Sequence, residues 1–392
     1  MPDTIIPAAN TLSQPLVWPA EGPSRVPYRV YHDPEILRLE HERIFRGAAW
    51  HYLCLEIEVA EYGDFKTSVV GEIPVIVTRD RDGHVNAMVN RCAHKGALVC
   101  LKERGNQKRM TCVYHSWTYD MTGQLRGVAF QDGMAGKGGM PKDFDLAKHR
   151  LEPLRVAVYN GLVFGTFSPD TPPIEDYLGQ TMCELIQRNF SKPHKIIGYH
   201  SQINRLDMDG GMILAQPTPW HSLSYAKRAT IKEDARYKDI HSAQFEENAL
   251  EGPEMLNAFH EFDDNITHMI QTTFPTLAFQ FTLNSLAVRH FVPKGVDKTE
   301  IHWLYLGYED DTEEQTEMRI NQGNLTGAAG LVSLEDGCIN EFVQRGSKGS
   351  EDAREFLEMG GKSVESSEAS RATEVAVRGF WSGYRQIMGF AD

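Results

Sequence analysis

Two short stretches pair a cysteine with a histidine at spacings that suit metal chemistry. Cys92-Ala93-His94 is followed, after seventeen residues, by Cys112-Val113-Tyr114-His115. Thiolate is a soft donor that suits iron–sulfur clusters, and imidazole nitrogen suits iron and zinc. One cysteine and one histidine from each of two loops is the ligand set in which histidines replace two thiolates on one iron of a [2Fe–2S] cluster, raising its reduction potential. Cys92 and Cys112 would hold one iron, and His94 and His115 the other. A structural zinc ion also accepts two cysteines and two histidines, but zinc modules usually begin with two cysteines a few residues apart. The other cysteines, Cys54, Cys100, Cys183 and Cys338, are scattered. A disulfide framework belongs to small secreted chains rather than to one of this length.

Such loops need a rigid scaffold, and the surrounding sequence supplies strand signals. Val75 to Val77 and Val85 to Val89 flank Asp82-Gly83, a tight-turn pair. Tyr119 to Leu125 crosses a turn at Thr122-Gly123, and Val156 to Val158 and Leu162 to Phe167 flank Asn160-Gly161. Residues 46–168 therefore read as a small all-β domain, with both ligand loops following strands. Residues 1 to about 25 read as an unstructured arm, and Pro34 to Phe45 as a helix, completing an N-terminal segment 1–45. Past Pro172-Pro173 the pattern changes. Ile174 to Phe190 reads as a helix, Leu277 to Phe291 and Glu300 to Tyr308 alternate as antiparallel strands, and Ser370 to Met388 has helical spacing. The second domain, 169–392, is thus α+β, with helices against a sheet.

The chain of 392 residues carries 41% hydrophobic and 24% charged residues, a globular composition with room for two domains. A formal net charge of −14 speaks against nucleic-acid partners. The start of the chain lacks a basic, then apolar, leader, and no apolar run approaches the roughly 18 residues of a membrane span. These features predict a cytoplasmic location without a membrane partner.

Asn90-Arg91-Cys92-Ala93-His94-Lys95-Gly96-Ala97 and Cys112-Val113-Tyr114-His115-Ser116-Trp117 resemble the Rieske segments of the large subunits of ring-hydroxylating dioxygenases. Gly138-Gly139-Met140-Pro141, Ile174-Glu175-Asp176-Tyr177-Leu178-Gly179, Phe342-Val343-Gln344-Arg345-Gly346 and Arg371-Ala372-Thr373-Glu374 extend the likeness. Within the family these segments are most similar to oxygenases of terephthalate, with salicylate hydroxylases next. The resemblance implies a Rieske domain followed by a helix-grip catalytic domain. It also implies an NAD(P)H-driven reductase or ferredoxin feeding the cluster, and a mononuclear Fe(II) that activates O₂. Head-to-tail trimers with a small β subunit (α₃β₃) are implied too, the cluster of one subunit serving the iron of its neighbour.

The mononuclear iron calls for two histidines and a carboxylate, with positions left open for O₂. The resemblance assigns the carboxylate to Asp336, in Leu334-Glu335-Asp336-Gly337. Read alone, an Asp in such a stretch is more often a helix-cap or turn residue. The family's histidine run does not occur. His200-Ser201-Gln202 passes straight into Ile203-Asn204-Arg205-Leu206, where the family places about a helix and its loop. An absent segment at the Gln202–Ile203 junction is the expectation, either omitted from this sequence or deleted from the protein itself. His194, His200, His221, His260 and His268 offer no pair at a helical spacing followed by a suitable carboxylate. Taken literally, the chain would hold a cluster and little mononuclear iron.

Arginine's fork matches a carboxylate in bidentate fashion. Arg289 stands in an alternating strand, and Arg371 opens the C-terminal helical stretch. Each either pairs with an internal acid or awaits an anionic ligand, and the resemblance favours an aromatic carboxylate. The readings are a dioxygenase of an aromatic acid (terephthalate first), a salicylate-type monohydroxylase, and a Rieske electron-transfer protein. The roughly 220 residues after the β domain exceed what the last requires.

Overall fold

The computed structural model describes residues 12–204, 214–218, 221–227, 252–264, 266–365 and 373–390, with backbone alone at 200–204, 214–218 and 224–227. The chain divides into two compact units.

One unit holds residues 34–180 together with 274–276. It opens with helix α1 (Pro34–Glu40) and a π-type turn over His41–Phe45. Its strands are β1 (His51–Leu55), β2 (Asp64–Val70), β3 (Ile73–Arg79), β4 (Val85–Val89), β5 (Arg104–Asn106), β6 (Met110–Thr111), β7 (Thr118–Tyr119), β8 (Leu125–Gly127), β9 (Pro153–Tyr159) and β10 (Leu162–Thr166). Seven form one sheet in the order β1-β10-β9-β4-β3-β2-β5, and β6-β7-β8 form a second. The turn pairs act as their chemistry demands: Gly83 (φ 83°), Asn160 (φ 49°) and Gly161 (φ 84°) take left-handed backbone that tight hairpins need. Period-two alternation sorts the core. Val75, Val77, Ala87 and Val89 face one apolar cluster, while Ile76 and Met88 face another that includes Cys92, Cys112, Trp117 and Tyr119. The ligand loops are therefore rooted in packed core.

The other unit holds residues 1–33, 181–273 and 277–392. Its sheet runs β11 (His194–Asn204), β17 (Thr299–Tyr308), β16 (Ser285–Pro293), β15 (Leu277–Thr282), β14 (Ile266–Thr273), β13 (His221–Lys227) and β12 (Leu214–Thr218), all antiparallel. Helix α2 (Ile174–Asn189) leads into it, broken at Gly179, and α3 (Glu313–Thr326), α4 (Leu331–Ser347) and α5 (Val375–Met388) complete the set. Thr312 caps α3, its hydroxyl accepting from the Gln315 amide. Arg319 of α3 is buried between Glu261 and Asp311, donating to Asp311 at 2.8 and 2.9 Å. The fold class is α+β, as expected.

Two expectations need correction. Residues 12–25 are not a loose arm: Trp18 is buried, its ring 6.0 Å from Trp381 of α5, and its indole donates to the Gly22 carbonyl. A large aromatic on a short polar segment gains more by burial than the segment's composition suggests. Asp336, read alone as a cap or turn residue, lies inside α4.

Candidate functional site

The two ligand loops are built alike. The Cys92 amide donates to the Ala97 carbonyl (2.8 Å), and the Gly96 amide donates to the Cys92 carbonyl (2.9 Å). In the second loop the Cys112 amide donates to the Trp117 carbonyl (2.9 Å), and the Ser116 amide to the Cys112 carbonyl (3.0 Å). The fourth residue after each cysteine has positive φ, 75° at Gly96 and 56° at Ser116. Glycine takes that region freely, whereas serine there is strained and is held by its loop. The two loops thus share one turn conformation, with the histidine two residues after Cys92 and three after Cys112.

The rings of His94 and His115 meet with centroids 4.7 Å apart, and His94 stacks on Trp117 at 4.9 Å and 3°. His115 Nδ1 is buried with no hydrogen-bond partner among the described residues. Such an atom is costly unless it meets a ligand. Desolvation, then His94 and Lys95, lowers the His115 pKa, which favours the neutral, metal-binding form. The sulfurs of Cys92 and Cys112 are buried in the core cluster. Among the described residues, Asp80, Asp82 and His84 are the one group of three or more potential ligands with donor atoms all within 4.8 Å. They form a turn with Asp80 buried and Asp82 and His84 exposed, in which Asp80 Oδ1 accepts from the Asp82 and His84 amides. The Cys–His quartet thus does not close on one point, as a tetrahedral zinc ion with bonds of about 2.0–2.3 Å would require. Its spread fits a two-iron cluster with two ligands on each iron.

Three side chains support these loops in roles that the sequence reading did not assign. Tyr119 is fully buried, its Oη 3.3 Å from Cys92 Sγ and accepting from the Ala93 amide at 3.1 Å. Buried Asn90 donates to the Cys100 carbonyl and accepts from the Val99 and Cys100 amides, bracing the end of the first loop. Trp117 presents the flat surface under His94.

In the other unit, Arg289 lies on β16 opposite Trp303 of β17, its guanidinium 5.1 Å from the Trp303 ring and 5.9 Å from Phe291. Ala287, Trp303, Tyr305 and Ala328 pack on the same apolar cluster, beside Phe291. Burial raises the Asp336 pKa, and the Arg289 charge opposes that rise, so the two groups feel one another. The Asp336 residue is nonetheless exposed, so solvent screens its interaction with Arg289. Arg371 lies outside the described residues, as does the His200 side chain. His221 is buried, His268 Nδ1 bonds the Thr282 hydroxyl at 2.9 Å, and His260 is exposed. Among the described residues no histidine pair joins Asp336 in a metal-binding group. The described residues therefore do not by themselves complete a mononuclear iron site.

Helix α4 has inverted polarity. Ser333, Gln344 and Ser347 are buried, while Leu331 (53%), Leu334 (52%) and Phe342 (59%) are exposed. It packs against β11, which contains the Gln202–Ile203 junction. The junction is an unbroken stretch of strand, Gln202 pairing with Ile301 and Ile203 with Glu300.

Two Cys–His loops on a β scaffold, together with a helix-and-sheet unit, are the parts of a Rieske-type oxygenase architecture. The Rieske [2Fe-2S] domain matches residues 49–136, and the ring hydroxylating alpha subunit catalytic domain matches 214–389. The chain is 43% identical to a terephthalate 1,2-dioxygenase terminal oxygenase component subunit alpha from Comamonas sp. over 404 positions, covering 95% of this chain and 97% of the relative. It is 39% identical to the anthranilate 1,2-dioxygenase large subunit of Burkholderia cepacia over 417 positions, covering 98% of each. Naphthalene 1,2-dioxygenase from Rhodococcus sp. shares the fold, with a TM-score of 0.76 at 22% identity over 93% of this chain and 94% of that one. The chain belongs to the ring-hydroxylating oxygenase alpha-subunit family. It is accordingly an oxidoreductase of the class that incorporates O₂, and its family's cofactors are a Rieske [2Fe–2S] cluster and a mononuclear non-heme iron. Both alignments are longer than the 392 residues of this chain, so each relative has residues with no counterpart here. No described helix is long and apolar enough to cross a membrane.

Proposed function

We propose that this chain is the large subunit of an oxygenase component that hydroxylates an aromatic carboxylate, terephthalate first among the candidates. The observation that carries the substrate class is Arg289, a cation on an aromatic-lined sheet face within electrostatic reach of Asp336. A half-buried guanidinium between Trp303 and Phe291 suits a flat ring bearing a carboxylate, by bidentate pairing and stacking. The relatives named for terephthalate and anthranilate support the same class. Arg371 is proposed as a second carboxylate contact on the resemblance alone. In the dioxygenase reading, terephthalate, O₂, NADH and a proton give the cis-dihydrodiol and NAD⁺. Salicylate-type monohydroxylation is the alternative.

Cys92, His94, Cys112 and His115 are the proposed cluster ligands, and Asp336 the proposed carboxylate ligand of the mononuclear iron. The cluster supplies single electrons; the chain's own residues orient it and exclude water from its sulfurs. The expected partners are an NAD(P)H-driven reductase or ferredoxin and a small β subunit in an α₃β₃ assembly, in the cytoplasm. The extra residues of both relatives and the exposed apolar face of α4 beside β11 support an omitted segment at Gln202–Ile203, one that carries the histidine pair and covers that face. Intact mass with iron and acid-labile sulfide counted on the same sample tests this. A mass well above 44.3 kDa with about three irons per chain bears it out. A mass of 44.3 kDa with about two irons and two sulfides leaves an electron-transfer protein without oxygenase activity. Substrate class is tested by O₂ and NADH consumption with terephthalate, anthranilate, salicylate and naphthalene. Equal turnover of naphthalene, or an Arg289→Met enzyme unchanged on carboxylates, would refute the carboxylate reading.

A further inference from the structure

The sheet face that carries Arg289 holds a second buried donor. Arg289 of β16 and Trp303 of β17 stand directly opposite one another, and residues so paired point to one side of a sheet. The Trp303 ring lies 5.1 Å from the Arg289 guanidinium and stacks on Tyr305 at 6.1 Å and 16°. Trp303 is 1% exposed, and its Nε1 is buried with no hydrogen-bond partner among the described residues. On the same face the Tyr305 hydroxyl accepts from the Ala328 amide at 2.8 Å. Gln280, opposite Ala287, donates to the Thr326 carbonyl at 3.3 Å.

An indole N–H shut away from water without an acceptor costs free energy, and phenylalanine would fill an apolar site without that cost. Arg289 cannot supply the acceptor, because a guanidinium, like an indole, only donates. Two donor-only groups side by side are completed by a third group that only accepts. An ionised carboxylate is such a group, with about four lone-pair sites on its oxygens and no proton to set against either donor. A carboxamide of the same shape turns an N–H donor towards them instead.

We propose that Trp303 donates its Nε1–H to the substrate carboxylate held by Arg289, and thereby selects carboxylates over uncharged groups of the same shape. The inference rests on the aromatic-carboxylate reading above and deepens it. The fork of Arg289 pairs with the two carboxylate oxygens, and the indole N–H takes a remaining lone pair. The ring is fixed before the ligand arrives. It stacks on Tyr305 and packs with Ala287 and Ala328 beside Phe291, so binding has little side-chain freedom left to remove.

The test measures dissociation constants by calorimetry for terephthalate, benzoate and benzamide on the full-length protein as purified. Trp303 is replaced in two ways. Trp303→Phe removes the donor together with part of the ring. Benzothienylalanine at the same position keeps the size of the indole and puts sulfur where the N–H stands. The expected result is ~10- to 100-fold weaker binding of both acids by the benzothienyl protein, with benzamide changed by less than ~2-fold. Trp303→Phe should share the loss for the acids. A merely structural role would weaken acids and amide alike, so equal losses would overturn the proposal. Unchanged binding of the acids by the benzothienyl protein would overturn it too. Arg289→Met, measured alongside, separates the two levels of the argument. Acids that bind the parent and are weakened by Arg289→Met, but by neither Trp303 replacement, remove Trp303 and leave the carboxylate reading standing. A parent that binds no aromatic acid, or an Arg289→Met protein that binds them unchanged, defeats that reading and this inference with it.

Discussion

Replacing Tyr119 by Phe removes one oxygen atom from a fully buried ring and tests whether Cys92 is a cluster ligand. The Tyr119 hydroxyl accepts from the Ala93 amide at 3.1 Å and lies 3.3 Å from Cys92 Sγ. Burial, then the contact with Cys92, raises its pKa, so it keeps its proton. A metal-bound thiolate has no proton, and the hydroxyl must then be the donor. A hydrogen bond to a charged acceptor contributes about 1.5–3 kcal/mol, and it strengthens when an added electron makes the sulfur more negative. If about 1 kcal/mol of it differs between the two redox states, the one-electron potential falls by about 40 mV in Tyr119→Phe, since 59 mV corresponds to about 1.4 kcal/mol. Stability should change little, because Ala93 is exposed and water can take the place of the lost acceptor. The assay is a potentiometric titration followed by circular dichroism, with iron and sulfide counted first. A midpoint within ~10 mV of the parent, on protein with its cluster intact, would refute the donor role.

Asn90→Ala removes three hydrogen bonds that brace the first loop. The expected cost is about 2–4 kcal/mol in denaturant unfolding, with faster loss of colour on dilution; unchanged values would show the loop holds without it. Arg319→Met leaves Glu261 and Asp311 buried without their countercharge, and should cost about 3–5 kcal/mol by the same measurement. Burial lowers the pKa of His51 to about 3, partly opposed by the Ile44 backbone. A folded pKa below the unfolded one means full stability above about pH 6.5, lost at about 1.4 kcal/mol per unit as pH falls towards 3. His51→Leu should therefore reduce the stability difference between pH 7 and pH 5 by about 2 kcal/mol, and an identical difference in both proteins would exclude the effect.

The features legible from sequence are those whose physics is local. Asp82-Gly83 and Asn160-Gly161 mark hairpins because left-handed backbone selects their residue types. Cys92-Ala93-His94 and its counterpart stand out because soft and borderline ligands rarely recur at such spacing by chance. Tyr119 and Asn90 escaped notice, since a hydroxyl or amide acting on a loop some ten to twenty-seven residues away leaves no periodic trace. Helix α4 was hidden for a different reason. Helical patterning presumes apolar residues inside, and here Ser333, Gln344 and Ser347 are inside while Leu331, Leu334 and Phe342 face out. A helix carrying Asp336 gains nothing in water from that inversion, and three exposed large side chains of this kind forfeit about 1.5–3 kcal/mol each relative to burial. The polarity is economical only if further polypeptide lies over α4. The strand packed against it, β11, is the one that passes through the Gln202–Ile203 junction, where the family resemblance lapses. The omission proposed there would account for both, the missing histidine pair and the exposed apolar side chains of α4.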